Sequence, residues 1–325
     1  MIPEEFKNKC KGIIPVQYCP FNENGELYID GLKQNTQFLV DFAKGNKDLL
    51  IMTNGSTTEF YANSIEEQKK VIKTVVEVVN GKVPVVAGVS QAATKETIKM
   101  ATYAEEQGVD CAMVVLPFYH KPTSEGMYKH YKKIAESVNI GIMIYNNPDV
   151  SGLLIGPDLM HKLSKIDNIV AVKDNSPIID HYFMNSATID SRDMVLLNGR
   201  GELQFLGSAA YGYKYRGFVT FIGNFAPSLS YDVYHAVKEK DFEKAEVALE
   251  RLLPLYNIMG EFMGRRQDIS ILPSAYKTNY MYMSIGKACM DMVGLSGGPL
   301  KLPLEDLKAE ERDELRQVLE KMKVI

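Results

Sequence analysis

The chain has 325 residues, which suits one large α/β barrel with an appendage or two ordinary domains. Its net charge of −4, with acidic and basic residues interspersed, gives no indication of nucleic acid or an anionic membrane as a partner. No stretch approaches the ~20 apolar residues of a membrane span, and the N-terminal residues lack a signal-peptide pattern. We therefore expect a cytoplasmic protein that binds a small molecule.

The cysteines and histidines form no recognisable disulfide or metal pattern. The four cysteines are scattered without a C-x-x-C pair, so we expect reduced thiols that are mostly buried, at Cys10, Cys19, Cys111 and Cys289. No close ligand-like spacing occurs among the five histidines, His120, His130, His161, His181 and His235. This disfavours a metal-dependent enzyme, although ligands from distant strands can converge.

Eight short apolar runs of strand length occur along the chain. They cover residues 12–18, 49–53, 83–89, 111–116, 140–145, 169–173, 194–198 and 217–222. Segments with helical periodicity lie between them, such as the one that begins at Ser64, where Glu67 completes a capping-box pattern. Strands with consecutive apolar residues are typical of a parallel sheet that helices cover on both faces.

This alternation favours a (β/α)8 TIM barrel over an open doubly wound sheet. No G-x-G-x-x-G pattern follows the first strand, which removes the main support for a dinucleotide-binding sheet. After about residue 227 the pattern indicates only helices, at 229–262 with a break near Pro254, at 269–290 and at 305–323. We predict a barrel over residues 1–227 that carries the active site, and an all-helical C-terminal subdomain over residues 228–325.

Two reactive side chains end neighbouring predicted strands. Lys173 closes the sixth apolar run and Tyr145 closes the fifth. The active site of such a barrel lies at the carboxyl ends of its strands. A lysine amine that is buried there is desolvated, which lowers its pKa and frees it to attack a carbonyl carbon. The tyrosine phenol offers the proton transfers that this attack needs.

Other polar residues follow the second and fourth strands. Gly55, Ser56 and Thr57 combine a flexible glycine with two hydroxyls, and their backbone N–H groups suit a carboxylate. Tyr119 follows the fourth strand. Taken alone, the hydroxyls are typical of a helix cap and Tyr119 of a packing aromatic. The combination with Lys173 is what indicates chemistry.

These motifs resemble the dihydrodipicolinate synthase / N-acetylneuraminate lyase family over essentially the whole chain. The matching segments are residues 12–16, 55–59, 117–119, 145–148, 172–174, 294–295 and 302–304. The steps of 62, 26 and 28 residues are also similar to those of the family; they link Thr57, Tyr119, Tyr145 and Lys173.

The resemblance implies a class I, Schiff-base mechanism without a metal or other cofactor. Lys173 would condense with the ketone of pyruvate or of a longer 2-oxo acid, and the iminium would accept electrons when a C–C or C–O bond breaks. Tyr145 would be the general acid and base, and Thr57 would link it into a proton relay. Tyr119 would complete the relay in a neighbouring subunit, which implies a homotetramer or a homodimer.

The resemblance also implies which residues surround the substrate. The carboxylate of the 2-oxo acid would bind at Gly55, Ser56 and Thr57. The remaining substrate-binding positions follow or end the last two strands and are Gly199, Glu202, Val219 and Thr220.

Three positions depart from the known branches of the family and bear on specificity. Val150 stands where the synthase branch usually has an arginine for the carboxylate of its second substrate, a task that an apolar side chain cannot perform. Gly201 replaces the first residue of the Asp-Glu pair of the sialic-acid lyase branch, which leaves only Glu202. Arg200 adds a positive charge. Its guanidinium either meets a distal carboxylate of the substrate or points to solvent.

An aldolase or dehydratase that acts on a 2-keto-3-deoxy sugar acid fits these departures best. The synthase, the N-acetylneuraminate lyase and a non-catalytic protein that binds 2-oxo acids remain alternatives. Thr58 stands where the family usually has glycine, so we expect a different local turn, and we expect Glu59 to cap the following helix. The tyrosine-rich stretch 210–216 is longer than usual, and we expect it to serve packing or an interface opposite the site.

Overall fold

Eight parallel strands form a (β/α)8 barrel, which confirms the predicted fold. The structure is a computed structural model that describes residues 1–45, 47–210, 214–267, 269–277 and 280–325. The strands are β1 (Gly12–Pro15), β2 (Ile51–Thr53), β3 (Val85–Gly88), β4 (Cys111–Val115), β5 (Gly141–Asn146), β6 (Ile169–Asp174), β7 (Val195–Asn198) and β8 (Tyr215–Thr220). They are paired in the order β1-β8-β7-β6-β5-β4-β3-β2. Parallel bridges from Ile13 to Leu49 and from Val16 to Met52 join the two ends of this order.

The helices follow the strands as the periodicity predicts. They are α1 (Pro3–Lys9), α2 (Ile29–Phe42), α3 (Ile65–Val79), α4 (Thr94–Gln107), α5 (Ser124–Ala135), α6 (Pro148–Ser151), α7 (Pro157–Ser164), α8 (Ile179–Thr188), α9 (Glu202–Ala210), α10 (Pro227–Lys238), α11 (Phe242–Glu250), α12 (Leu253–Gly264), α13 (Met281–Met292) and α14 (Ala309–Lys321). The capping box of Ser64 and Glu67 is present at the start of α3.

The C-terminal helices differ from the prediction in their ends. The helix predicted over 229–262 is three helices, because Lys240 takes a left-handed conformation (φ 60°) and Asp241 then caps α11. The helix predicted from 269 begins only at Met281. Pro273 precedes a short 3-10 turn there, and proline disfavours helical geometry in the residue before it.

Two apolar cores meet at α10. Tyr234 and Ala236 of this helix pack in the core between the sheet and its outer helices, whereas Leu229 and Val233 pack with the C-terminal helices. Helix α10 therefore contacts both parts of the chain. A domain boundary at residue 227, just before this helix, remains a proposal.

The short helix α1 closes the amino end of the barrel. Phe6 is completely buried in the cluster that fills the barrel interior and lies beside Gly141, the first residue of β5. Arg216 of β8 donates hydrogen bonds to the carbonyl oxygens of Lys7 (2.8 Å) and Asn8. Of the tyrosine-rich stretch, residues 211–213 lie outside the described residues. Its described end serves packing at this amino end, opposite the strand ends that carry the candidate site.

The cysteines agree with the prediction of reduced, buried thiols. Cys10, Cys19, Cys111 and Cys289 are all buried and form no disulfide. Within the described ranges, none of the helices has both the length and the apolar character to cross a bilayer.

A buried ion pair joins the C-terminal helices to the barrel. Glu59 lies on the loop after β2, and its Oε1 is 2.7 Å from Nζ of Lys287 in α13. Both side chains are almost completely buried. The second carboxylate oxygen accepts a hydrogen bond from the N–H of Lys301, and Lys287 also donates to the carbonyl oxygen of Pro299. Residues near the C-terminus therefore fix the loop that follows β2.

Replacing Lys287 by methionine should lower the free energy of unfolding by about 3–5 kcal/mol, because Glu59 is left buried without its partner. The double variant Glu59→Gln/Lys287→Met should lose much less, since no unpaired charge remains. The midpoint of urea unfolding measures both effects.

The exposed pair of Glu96 and Lys99 provides the control for this experiment. Lys99→Met should change stability by less than about 1 kcal/mol, because water screens the charges of an exposed pair. A Lys287→Met midpoint equal to that of Lys99→Met would contradict a structural role for the buried pair.

Candidate active site

Lys173 and Tyr145 lie side by side at the carboxyl ends of β6 and β5. The two residues are partners in the strand register, and Nζ of Lys173 is 3.8 Å from the centroid of the Tyr145 ring. Lys173 is only 4% exposed. Because burial removes the hydration of an ammonium group, the pKa of the Lys173 amine falls from 10.5 to about 7. Much of the amine is therefore neutral and nucleophilic at neutral pH.

The carboxylate of Asp174, the next residue, is engaged on the outer side of the strand. It accepts hydrogen bonds from the N–H (2.9 Å) and hydroxyl (2.6 Å) of Ser176 and from Nδ2 of Asn185 (2.9 Å). Burial raises the pKa of Asp174, and these hydrogen bonds act in the opposite direction. Since successive side chains of a strand point to opposite faces, Asp174 anchors β6 to α8 and does not neutralise the amine of Lys173.

The hydroxyl of Tyr145 is bonded to a neighbouring amide. It accepts a hydrogen bond of 2.7 Å from Nδ2 of Asn147. Burial raises the pKa of this phenol above its ordinary value, so it stays protonated at neutral pH. Thr57, its predicted partner in the relay, lines the same cavity as Tyr145.

The loop after β2 is fixed by Thr58. The Thr58 hydroxyl donates a 2.7 Å hydrogen bond to the carbonyl oxygen of Gln17 and accepts one from the N–H of Gly55. The threonine that stands here in place of the usual glycine therefore ties the loop to the end of β1. Because the N–H of Gly55 donates to this hydroxyl, it is directed into the loop and not toward a substrate. The expectation that Glu59 caps the following helix is wrong, because its side chain makes no cap hydrogen bond there.

Thr57 and Tyr119, the two other predicted relay residues, lie in different surroundings. Thr57 is buried and lines the cavity together with Tyr282 of α13. Tyr119 is 77% exposed, and its ring packs edge-on against His120 with the centroids 4.9 Å apart. Tyr119 does not line the cavity of its own chain. A role in catalysis requires it to reach another subunit.

Glu202 is completely buried and holds three elements together. Its Oε1 accepts hydrogen bonds from the hydroxyls of Thr220 (2.6 Å) and Ser230 (2.5 Å), and its Oε2 accepts one from Tyr256 (2.6 Å). Glu202 and Thr220 are both predicted to bind substrate, and both line the cavity. The carboxylate of Glu202 and the hydroxyl of Thr220 already make hydrogen bonds within the protein. Binding of a substrate hydroxyl by Glu202 would have to replace or add to these bonds.

Two other predicted substrate-binding residues, Gly199 and Val219, line the same cavity. Gly199 lies at the end of β7, tightly packed against Asn175. A Cβ atom at this position would lie 1.7 Å from Oδ1 of Asn175, so a larger residue would require the Asn175 side chain to move.

The predicted specificity residues form the rim of the cavity. Nη1 of Arg200 is 3.2 Å from Oδ2 of Asp149, and Arg200 is held in this ion pair rather than extended into solvent. Val150, beside Asp149 on α6, is 48% exposed and also lines the cavity. Gly201 has a φ of 84°, a conformation that glycine adopts readily at the start of α9. The rim therefore carries one guanidinium that is already paired with a carboxylate.

These residues enclose a cavity of about 330 Å³. Its far wall comes from the C-terminal helices and the segment between them, through Tyr256, Met259, Met263, Lys277 and Tyr282. Sequence reasoning missed this wall, because the strand-end rule points only to barrel loops and no motif marks the helices. Among the side chains that the structure describes, no group of three or more His, Cys, Asp or Glu is arranged to hold a metal ion.

A (β/α)8 barrel with a buried lysine and tyrosine at adjacent strand ends is the arrangement of a class I, Schiff-base-forming lyase. Comparison with known proteins agrees. The model of the dihydrodipicolinate synthetase family matches residues 9–322. The chain belongs to this family, whose members are class I aldolase-type lyases, and it is an enzyme of that type.

Similar proteins cover almost the whole chain. The 4-hydroxy-tetrahydrodipicolinate synthase of Methanocaldococcus jannaschii is 34% identical over 316 residues, which are 97% of this chain and 99% of that protein. The crystal structure of dihydrodipicolinate synthase from Aquifex aeolicus has a TM-score of 0.82 at 30% identity, covering 97% of this chain and 98% of the other. A structure described as the first monomeric dihydrodipicolinate synthase variant has a TM-score of 0.82 at 25% identity, covering 98% and 99%.

Lys173→Met should stabilise the protein in a pH-dependent manner. Between pH 7 and 10.5 the unfolded state binds more protons at Lys173 than the folded state, so wild-type stability falls as the pH drops through this range and levels off below it. The methionine variant lacks this effect. Its gain in Tm over the wild type should therefore be small near about pH 9.5 and larger, corresponding to a few kcal/mol, at about pH 7.

The exposed residue Lys95 supplies the control. Lys95→Met should shift Tm by the same small amount at both pH values. If the Lys173→Met gain were also independent of pH, Lys173 would not be desolvated in the folded protein.

Proposed function

We propose that this enzyme forms a Schiff base between Lys173 and a 2-oxo acid of the pyruvate type. The observation that carries the proposal is the buried amine of Lys173, which lies against Tyr145 in a cavity large enough for a small molecule. A protein that only binds 2-oxo acids needs no desolvated amine. Because desolvation of an amine disfavours the folded state, the burial of Lys173 at this position supports a chemical role.

The proposed reaction begins with attack of the Lys173 amine on the substrate ketone. The carbinolamine loses water with the help of a proton from Tyr145, giving an iminium. In an aldol cleavage the C3–C4 bond breaks, the C4 hydroxyl loses its proton, and the bond electrons pass to the iminium to give an enamine. Protonation of the enamine and hydrolysis then release pyruvate and restore Lys173. In a dehydration the iminium instead loses a C3 proton to give an enamine, whose electrons then expel the C4 hydroxyl, which takes up a proton and leaves as water.

The carboxylate of the 2-oxo acid is proposed to bind at the turn of Ser56 and Thr57. Both residues line the cavity, and they open a 3-10 helix whose first N–H groups have no acceptor within the helix. An anion at this position places the ketone next to Lys173. Ser56 and Tyr145 line the same cavity, so the carboxylate site lies in the same cavity as the general acid.

We propose a 2-keto-3-deoxy sugar acid as the substrate, cleaved or dehydrated. The cavity extends from Lys173 to the C-terminal helices, which leaves room beyond a bound pyruvate unit. Its polar groups suit a hydroxylated chain and include Asn147, Asn175 and Lys277. Val150 supplies no charge for the carboxylate of a second substrate, in agreement with this proposal.

A 4-hydroxy-tetrahydrodipicolinate synthase is the second candidate. A relative that bears this name is 34% identical to the chain. Arg200 also brings a guanidinium to the rim beside Val150, although its ion pair with Asp149 lowers its capacity for a substrate carboxylate. The N-acetylneuraminate lyase reaction is less well supported, because the carboxylate of Glu202 is engaged within the protein.

We also propose a homotetramer or a homodimer. The exposed ring of Tyr119 suits a contact with another subunit. Sedimentation measurements at several concentrations test this assembly.

A substrate panel distinguishes the two candidate functions. The value of kcat/KM for the best five- or six-carbon 2-keto-3-deoxy sugar acid should exceed that for aspartate semialdehyde with pyruvate by at least about tenfold, because the rim offers no free guanidinium to the semialdehyde carboxylate. Coupled assays of pyruvate or 2-oxo acid release measure the former, and ring formation measures the latter.

A Val150→Arg variant sharpens this comparison. It should raise condensation with aspartate semialdehyde relative to the wild type, because it adds a charged partner for the carboxylate. Wild-type turnover of aspartate semialdehyde at the rate of the best sugar acid would favour the synthase and refute the inference from Val150.

A further inference from the structure

The phenol of Tyr256 in α12 lines the cavity and is held by a buried carboxylate. Its hydroxyl donates a 2.6 Å hydrogen bond to Oε2 of Glu202. A contact this short between a phenol and a carboxylate is typical of a charge-assisted hydrogen bond. Burial, together with the charge of Glu202, raises the pKa of Tyr256, so the phenol keeps its proton at neutral pH. Because that proton is directed at the carboxylate, the phenol oxygen has only its lone pairs to offer a further partner.

The carboxylate of Glu202 is much less accessible than the phenol. Although Glu202 belongs to the cavity wall, none of its surface is exposed. Its Oε1 already accepts hydrogen bonds from the hydroxyls of Thr220 in β8 (2.6 Å) and Ser230 in α10 (2.5 Å). Tyr256, in contrast, is only partly buried. A substrate therefore meets the phenol first, and the carboxylate lies behind it.

Neighbouring residues fix the ring of Tyr256 and leave room beside its oxygen. The ring packs edge-on against Phe221, which also lines the cavity, with the centroids 6.5 Å apart. Gly201 lies beside the phenol oxygen, because a Cβ atom at this position would be 3.5 Å from it. A larger residue would direct its side chain from this Cβ atom into the surroundings of the phenol. Glycine thus leaves the space beside the oxygen free of a side chain from position 201.

The phenol also lies on the part of the cavity wall that suits recognition of a substrate tail. Lys173 ends β6, whereas Tyr256 belongs to the far wall, which the C-terminal helices form. A substrate whose 2-oxo acid end is joined to Lys173 presents its remaining carbons to this wall.

We infer that Tyr256 is a specificity-determining residue, whose phenol oxygen accepts a hydrogen bond from a hydroxyl on the distal carbons of the substrate, and that Glu202 is the residue that positions it. This inference rests on the proposed function, since it names the group that recognises the tail of a sugar acid. Substrate hydroxyl, phenol and carboxylate form a chain in which each hydrogen bond polarises the next. Recognition through the phenol keeps all three hydrogen bonds of Glu202, whereas direct binding by the carboxylate would displace or crowd them.

Substrates with and without the distal hydroxyls test this inference. The probes are a six-carbon 2-keto-3-deoxy acid with hydroxyls at C4, C5 and C6, and two analogues that lack the C5 or the C6 hydroxyl. NMR of substrate consumption gives kcat/KM for each. The wild type should prefer the full acid to at least one analogue by about tenfold or more, because the analogue leaves the phenol oxygen without a donor. In Tyr256→Phe this preference should fall to about twofold or less, since the acceptor is gone.

Glu202→Gln tests the role of the carboxylate. Glutamine has nearly the same shape but no charge, so the phenol becomes a weaker acceptor and the preference for the full acid should fall by about threefold or more. The ratio of two kcat/KM values from one sample does not depend on how much of the variant is folded. The test therefore holds even where Glu202→Gln lowers stability.

Tyr234→Phe is the matched control. The hydroxyl of Tyr234 donates a 2.9 Å hydrogen bond to Oδ2 of Asp48, and Tyr234 does not line the cavity. This variant removes the same kind of bond between a phenol and a carboxylate at a different place. Its preference for the full acid should equal that of the wild type.

The outcomes separate this inference from the proposed function. If the wild type consumes none of the acids, the proposed substrate class fails and this inference fails with it. If the wild type consumes them without a preference, or Tyr256→Phe keeps the preference, only this inference fails. An equal loss of preference in Tyr234→Phe would also overturn it, because the effect would then not depend on the cavity.

Discussion

The desolvation of one amine is the constraint on which the site depends. Lys173 lies at the carboxyl end of a strand that is buried along its whole length, so its ammonium form loses hydration and its pKa falls to about 7. The barrel makes this possible because its apolar interior and outer helices exclude water from both faces of β6. Asp174 strengthens the arrangement by anchoring the strand through Ser176 and Asn185 instead of pairing with the amine.

The helical C-terminal region does more than cover the candidate site, because it also fixes a loop that lines the cavity. The buried pair of Glu59 and Lys287 fixes the loop after β2, and that loop presents Ser56 and Thr57 to the cavity. Such a pair offsets a large desolvation cost only when both charges are present and well bonded, which makes the loop sensitive to changes in α13. The structure therefore couples the geometry of the turn of Ser56 and Thr57 to helices that lie far away in the sequence.

Local patterns account for what could be predicted from the sequence. Consecutive apolar residues gave all eight strands, and the spacing of Lys173 and Tyr145 placed them at neighbouring strand ends, where the register pairs them. Contacts across the chain could not be predicted in this way. The three hydroxyls bonded to Glu202 leave no periodicity or motif, because these bonds depend on how the C-terminal helices pack on the barrel. The start of α13 was misplaced for a related reason, since helical composition extends over a segment that Pro273 interrupts.

Borohydride reduction in the presence of pyruvate tests the central claim most directly. The reductant converts an iminium into a stable secondary amine, and peptide mass spectrometry locates it. We predict a single pyruvyl adduct on the peptide that contains Lys173, which is absent from a Lys173→Met variant of unchanged fold. A wild-type protein that binds pyruvate yet yields no adduct on Lys173 would contradict the account and leave a binding function as the better explanation.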